Sequence, residues 1–143
     1  MSWIYNRVEF TPEMIPDGAI GFVYLMSAIV DGKSVLYIGK KNFYTEKKTK
    51  LKKTEKPNDK RMKDYKLVKK LNYQNYFSSN DVLKEAHKKG IQIKREILHI
   101  CYSKTELTYM ETKLQFVYGV LENSDYLNGN ILGKFYKQNG KLG

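Results

Sequence analysis

Gly21-Phe22-Val23-Tyr24-Leu25-Met26-Ser27-Ala28-Ile29-Val30, then Asp31-Gly32, then Lys33-Ser34-Val35-Leu36-Tyr37-Ile38-Gly39 is the stretch whose reading decides the fold. Two runs rich in β-branched and aromatic residues flank an Asp-Gly pair, a strong local signal for a β-hairpin. If Asp31-Gly32 is a two-residue loop, Val30 pairs with Lys33 and paired residue numbers sum to 63. Tyr24 then lies opposite Gly39, and Tyr37 opposite Met26. Side chains alternate faces along a strand, so Tyr24 and Tyr37 become diagonal neighbours on one face. A three-residue loop would send them to opposite faces. Two adjacent phenols can position a phosphate oxygen and a water; equally, they are two strand tyrosines in a chain that has twelve.

Working outward, residues 1–19 read as irregular, punctuated by Pro12, Pro16 and Asp17-Gly18. The stretch 42–58 has few large apolar residues and reads as an exposed, lysine-rich insertion. From about Asn58 to Leu71, Met62, Tyr65 and Leu67-Val68 recur near one face of a predicted helix. Ser79 or Asn80 can cap a short helix running to about Lys89, which Gly90 would end. Ile91 to Ile100 suits a third strand. Ser103-Lys104-Thr105-Glu106 is a capping box opening a helix to about Leu121, with Leu107, Met110, Leu114, Val117 and Leu121 as its core face. The expected fold is therefore α/β, a small three-stranded antiparallel sheet flanked by helices, built as a single domain over 1–143 with its core at about 20–130.

Charge gives the first functional indication. The 143 residues carry 26 Lys and Arg against 15 Asp and Glu, a net +11. Residues 40–70 alone hold 14 basic residues and four acidic ones (Glu46, Glu55, Asp59, Asp64), a net +10. A concentrated cationic segment attracts a polyanion, and release of condensed counterions supplies affinity for nucleic acid without sequence preference. A solvated lysine loop that aids solubility is the plainer alternative. No secretory signal pattern and no apolar run long enough to span a bilayer are present, so the expectation is a cytoplasmic protein, or one acting in the cytoplasm of a host cell, with no membrane partner. The single cysteine, Cys101 between Ile100 and Tyr102, reads as a buried strand thiol, and His87 and His99 as structural residues without ligand spacing. Arg95 reads as a strand residue facing DNA or solvent.

Gly21-Phe22-Val23-Tyr24 followed by Tyr37-Ile38-Gly39 resembles the signature of the GIY-YIG nucleases, and the text around Tyr37-Ile38-Gly39-Lys40-Lys41 and Lys94-Arg95-Glu96 is most similar to phage-encoded, homing-type members. The resemblance implies an arginine on a helix after the hairpin, with His or Tyr four residues on: Arg61 and Tyr65 fit, although Arg61 stands 22 residues after Gly39, farther than the family usually places it. It implies a metal-binding glutamate on a later helix, matched by Glu111, and an asparagine near the domain's end, matched best by Asn128 with Asn130 as substitute. Glu106, occupied by the capping box, is the poorer ligand. Glu111-Thr112-Lys113 has the spacing of restriction-type carboxylate nucleases, but that motif needs a strand and here falls within a helix.

The activity so implied is metal-dependent hydrolysis of phosphodiester bonds in double-stranded DNA, with Mg²⁺ or Mn²⁺ on Glu111. Tyr24 would orient or deprotonate the water, and a nearby cation would have to lower its pKa for the second role. Arg61 would grip the phosphate, Tyr37 and Tyr65 would position water or phosphate, and Asn128 would brace the site. Lys40 and Lys41 would contact the scissile phosphate or the backbone generally, and Lys47, Lys48, Lys50, Lys52 and Lys53 would hold the duplex.

Overall fold

The computed structural model describes residues 2–50 and 65–137. Its central element is the hairpin of β3 (Gly21–Val30) and β4 (Lys33–Asn42), with Val30 paired to Lys33, Tyr24 to Gly39 and Met26 to Tyr37. Asp31 and Gly32 both adopt positive φ, 51° and 78°, which is the mirror-image turn that matches strand twist. The two-residue loop therefore puts Tyr24 and Tyr37 on one face.

On its other side β3 pairs antiparallel with β7 (Lys94–Cys101), and the register shifts between Val23 and Tyr24. This irregularity, beside Tyr24, lets Ile97 and Ile100 both join the core on the tyrosine's side of the sheet. The sheet has five strands in the order β2-β1-β7-β3-β4, not three. The additional pair comes from the segment expected to be irregular: β1 (Trp3–Tyr5), parallel to β7, and β2 (Val8–Phe10), antiparallel to β1. The sheet is thus mixed rather than antiparallel.

A second difference concerns residues 42–71. Tyr44–Lys50 forms β5 and Tyr65–Leu71 forms β6, and the two pair as a separate antiparallel ribbon. The expected loop holds a strand, and Tyr65 lies on a strand, not on the expected helix. The apolar spacing there marks no buried helical face, since Val68 and Leu71 are exposed on the ribbon.

Each face of the main sheet carries its own core. One side gathers Trp3, Phe10, Phe22, Tyr24, Phe43 and Tyr73 with Leu83 and Ala86 of α1 (Asp81–Lys88). Its rings meet mostly edge to face, and the Trp3 indole donates to the Tyr73 carbonyl at 2.9 Å. Asn80 caps α1, accepting from Val82 and Leu83. The other side gathers Val23, Ile38, Cys101, Val120, Leu121 and Ile131 around Leu107 of α2 (Lys104–Val117).

Helix α2 opens as expected on Ser103, whose Oγ accepts from the Glu106 amide, but Glu106 reaches the Tyr102 amide rather than that of Ser103. It stops short of Leu121. Gly119 at φ 64° closes it, with Gly119 N–H to Phe116 O and Val120 N–H to Gln115 O, a paired C-terminal closure. Val117, expected in the core face, is consequently exposed, and Gln115 takes a buried position. The chain ends in a small β8–β9 pair, Asn130–Ile131 with Phe135–Tyr136.

Candidate active site on the two-tyrosine hairpin

Tyr24 is almost fully buried and Tyr37 half-buried, with ring centroids 6.3 Å apart. Gly39 makes room for the first: a Cβ there would stand 2.5 Å from the Tyr24 hydroxyl oxygen. That phenol crosses the strand over bare backbone, which is the physical reason for glycine opposite tyrosine.

The Tyr24 hydroxyl lies 3.3 Å from that of Tyr76 and 3.5 Å from the Ser78 hydroxyl. Burial, reinforced by Tyr76, pushes its pKa far above the ordinary phenol value. Among the described residues no cation is recorded lowering the Tyr24 pKa; Arg61, one of the cations expected to do so, lies outside them. Tyr37 is also pushed up, first by burial and then by the nearby charge of Glu111. That electrostatic contact brings Glu111, from α2, to the hairpin tyrosines.

Glu111 is half-buried, and no described residue forms a hydrogen bond or ion pair with its carboxylate. Burial raises its pKa, and the Lys40 charge partly offsets this. Lys40 is held close by, its Nζ donating to Thr108 Oγ1 at 3.0 Å, one helical turn before Glu111. A partly desolvated carboxylate oxygen without a hydrogen-bond partner among the described residues suits a hard divalent cation that keeps waters and substrate oxygens as its other ligands.

Asn128 is buried against the outer edge of β4. Its Oδ1 accepts from Ile38 N–H at 3.0 Å, and its Nδ2 donates to Ile38 O at 2.8 Å. It acts as a surrogate strand at the Tyr37-Ile38-Gly39 triplet, continuing the backbone bonds Leu36 N–H to Asp125 O and Leu127 N–H to Leu36 O. Asn130 is exposed and its side chain accepts from the Gly133 amide, so of the two only Asn128 is recorded bonding the β4 edge. Gln115 adds a third contact, donating to Ile38 O at 3.1 Å.

The structure thus brings together Tyr24, Tyr37, Glu111 and Asn128. Tyr65 is placed only as a backbone position on β6, and Arg61, Lys52 and Lys53 lie outside the described residues. Lys47 and Lys48 are exposed on β5, and Lys50 closes that strand. Lys41 is half-buried with its Nζ 4.8 Å from the Tyr76 ring centre, a cation over an aromatic face. Lys41, Asn42 and Lys104 border two adjoining clefts, the larger about 690 Å³ and also lined by Lys69.

Tyr76 and Ser78 were not legible as site residues. They lie in a segment without regular structure whose backbone is held by Arg95. That side chain is buried rather than facing DNA or solvent: it donates to Gln74 O and Tyr76 O at 2.9 Å and lies between the Trp3 and Phe77 rings. Among the described residues, no helix is long and apolar enough to cross a membrane.

Over residues 3–131 the chain matches the family model described as "Putative endonuclease segE, GIY-YIG domain". No curated protein and no solved structure matches the chain. The match includes the hairpin, Glu111 and Asn128 whose geometry is given above, and its family is one of nucleases. The chain belongs to the GIY-YIG endonuclease family, as a domain of the segE type.

Proposed function

We propose that the protein is a DNA endonuclease dependent on Mg²⁺ or Mn²⁺, a phage homing-type or DNA-degrading nuclease, that hydrolyses phosphodiester bonds in duplex DNA at the Tyr24–Tyr37–Glu111 site. The observation that carries this reading is the half-buried Glu111 carboxylate, without a hydrogen-bond partner among the described residues and within electrostatic reach of Tyr37 on the two-tyrosine face. Hydrolysis needs a placed water, neutralised phosphoryl oxygens and a stabilised leaving oxygen. Glu111 would hold the cation, and the chemistry a divalent ion supplies when bound is neutralisation of charge on the phosphate and leaving group. Tyr37, the more exposed phenol, orients the water. Tyr24 and Tyr76 donate as neutral phenols toward the phosphate, Lys40 and Lys41 add positive charge, and Arg61 would clamp non-bridging oxygens with its planar donors. Asn128 fixes the strand that carries Tyr37.

Cleavage of supercoiled plasmid tests the proposal. Wild-type protein should cut in Mg²⁺ or Mn²⁺ and not in EDTA, and Glu111→Ala should abolish cutting while DNA binding without metal persists. Tyr24→Phe and Arg61→Ala should each lose orders of magnitude in rate, and Glu106→Ala, which removes a helix cap, should still cut. A wild-type protein that binds DNA tightly but cuts no substrate in any metal is instead a non-catalytic DNA-binding protein with the nuclease fold.

A further inference from the structure

Strand β7 and the first turn of α2 place three chemically distinct donors together, on the α2 side of the sheet. His99 and Cys101 are two residues apart on β7 and so point to the same face, opposite Val23 and Gly21 of β3. Glu106 arrives from α2, immediately after the strand. The donor atoms of all three lie within 4.8 Å of one another.

The orientation of each group is favourable. Glu106 Oε1 is occupied by the Tyr102 amide at 2.6 Å, which leaves Oε2 turned toward His99 Nε2 at 3.5 Å. Metal–ligand bonds of about 2.0–2.3 Å in a tetrahedron separate ligand atoms by roughly 3.3–3.8 Å, so the nitrogen–oxygen pair already stands at the required spacing. The other separations need to close by about 1.5 Å at most. His99 and Glu106 side chains are 40% and 38% exposed, which leaves an entry path and room to adjust, whereas Cys101 is fully buried and fixes the inner corner. The bond from the Tyr102 amide orients the carboxylate as outer-shell partners orient metal ligands.

We propose that His99 Nε2, Cys101 Sγ and Glu106 Oε2 bind one zinc-class cation, with a fourth position left to water, and that this ion staples β7 to the start of α2. A thiolate with an imidazole selects zinc, cobalt or cadmium over magnesium, so the site is chemically distinct from the all-oxygen position at Glu111. On binding, the Cys101 S–H bond breaks, its proton passes to solvent, and sulfur bonds the metal. The proposal is independent of the nuclease reading.

The test is titration of metal-free, full-length, thiol-reduced protein with Co²⁺ and Cd²⁺, followed by absorbance. A thiolate-to-metal charge-transfer band should saturate at one equivalent, and Zn²⁺ should displace Co²⁺. Cys101→Ser should abolish the band. His99→Gln, at a half-exposed position, should fold normally and weaken binding at least tenfold, while Glu111→Ala leaves the band unchanged. Zn²⁺ should also raise the thermal midpoint of wild type more than that of His99→Gln. Absence of a thiolate band in wild type, or full-affinity binding by His99→Gln, overturns the proposal and leaves an ion pair beside a core thiol.

Discussion

Replacing Gly39 with alanine tests whether the Tyr24 phenol must cross the strand where it does. The new Cβ would stand 2.5 Å from the hydroxyl oxygen, 2.7 Å from Cζ and 3.1 Å from Cε2 of Tyr24. Ordinary carbon contacts lie at about 3.5–4.0 Å, so ring or strand must give by about 1 Å. The ring has little freedom, because Trp3, Phe22, Tyr37 and Tyr76 surround it with centroids at 5.7, 6.4, 6.3 and 5.8 Å. Overpacking of this kind costs about 1–3 kcal/mol. A 1 Å misplacement of a group acting on the reacting atoms can cost roughly 100-fold in rate. Urea denaturation and single-turnover plasmid cleavage should show both losses. Gly129→Ala is the matched control, since a Cβ there meets nothing and the residue has no positive φ, so both readouts should stay near wild type. Gly39→Ala protein with wild-type stability and cleavage rate would refute the reasoning.

Three further outcomes follow from the same geometry. Asn128→Ala should cost about 1–3 kcal/mol in chemical denaturation, because Ile38 N–H loses its acceptor in a buried site while Ile38 O keeps Gln115; a change within experimental error would show that the edge needs no such cap. Burial raises the Glu111 pKa, so cleavage in Mg²⁺ should fall away on the acid side as protonation removes the proposed metal ligand. The folded state holds that proton more tightly than the unfolded one, so Glu111 favours folding most below its unfolded pKa and loses this as pH rises through the folded pKa; relative to Glu111→Gln, wild type should lose stability over that interval, and a flat difference would refute the desolvation. Replacing Lys47, Lys48, Lys50, Lys52 and Lys53 with Gln should flatten the salt dependence of duplex binding between about 50 and 200 mM, whereas unchanged affinity and slope would remove this segment from the DNA-binding face.

The hairpin, α1, β7 and the start of α2 were legible because each carries a local signal with one physical meaning: Asp-Gly at positive φ, a capping Asn80, an apolar run, and Ser103 with Glu106. The N-terminal strands carried none. Three residues are too few to display alternation, and the turn between them uses Asn6 and Arg7, both at positive φ and neither a glycine. Trp3 and Phe10 belong to these strands only because partners distant in the chain, Arg95 and Tyr73, receive them. The ribbon failed for the opposite reason. Its apolar residues repeat at a spacing that both a helix and an exposed strand pair can show, and only the partner strand decides between them.

The site divides along the same line. Hairpin register placed Tyr24 and Tyr37 on one face and the Ser103 cap located the helix of Glu111, while the resemblance to the nuclease family singled these three out as site residues. Tyr76 and Ser78 reach Tyr24 only because Arg95, about 20 positions later, holds the carbonyls of Gln74 and Tyr76. A lone arginine on a strand is ordinarily read as facing water, since charged residues are rarely fully buried. Arg95 is the exception because two carbonyls and the faces of Trp3 and Phe77 replace its hydration, and burial pushes its pKa down to about 10 while leaving it charged at neutral pH. That Asn128, the better match of the two asparagines, bonds the sheet while Asn130 does not was likewise invisible in the spacing. It follows from β4 being the sheet's edge: an inward amide that both donates and accepts can satisfy the exposed backbone at Ile38, and only Asn128 stands beside it.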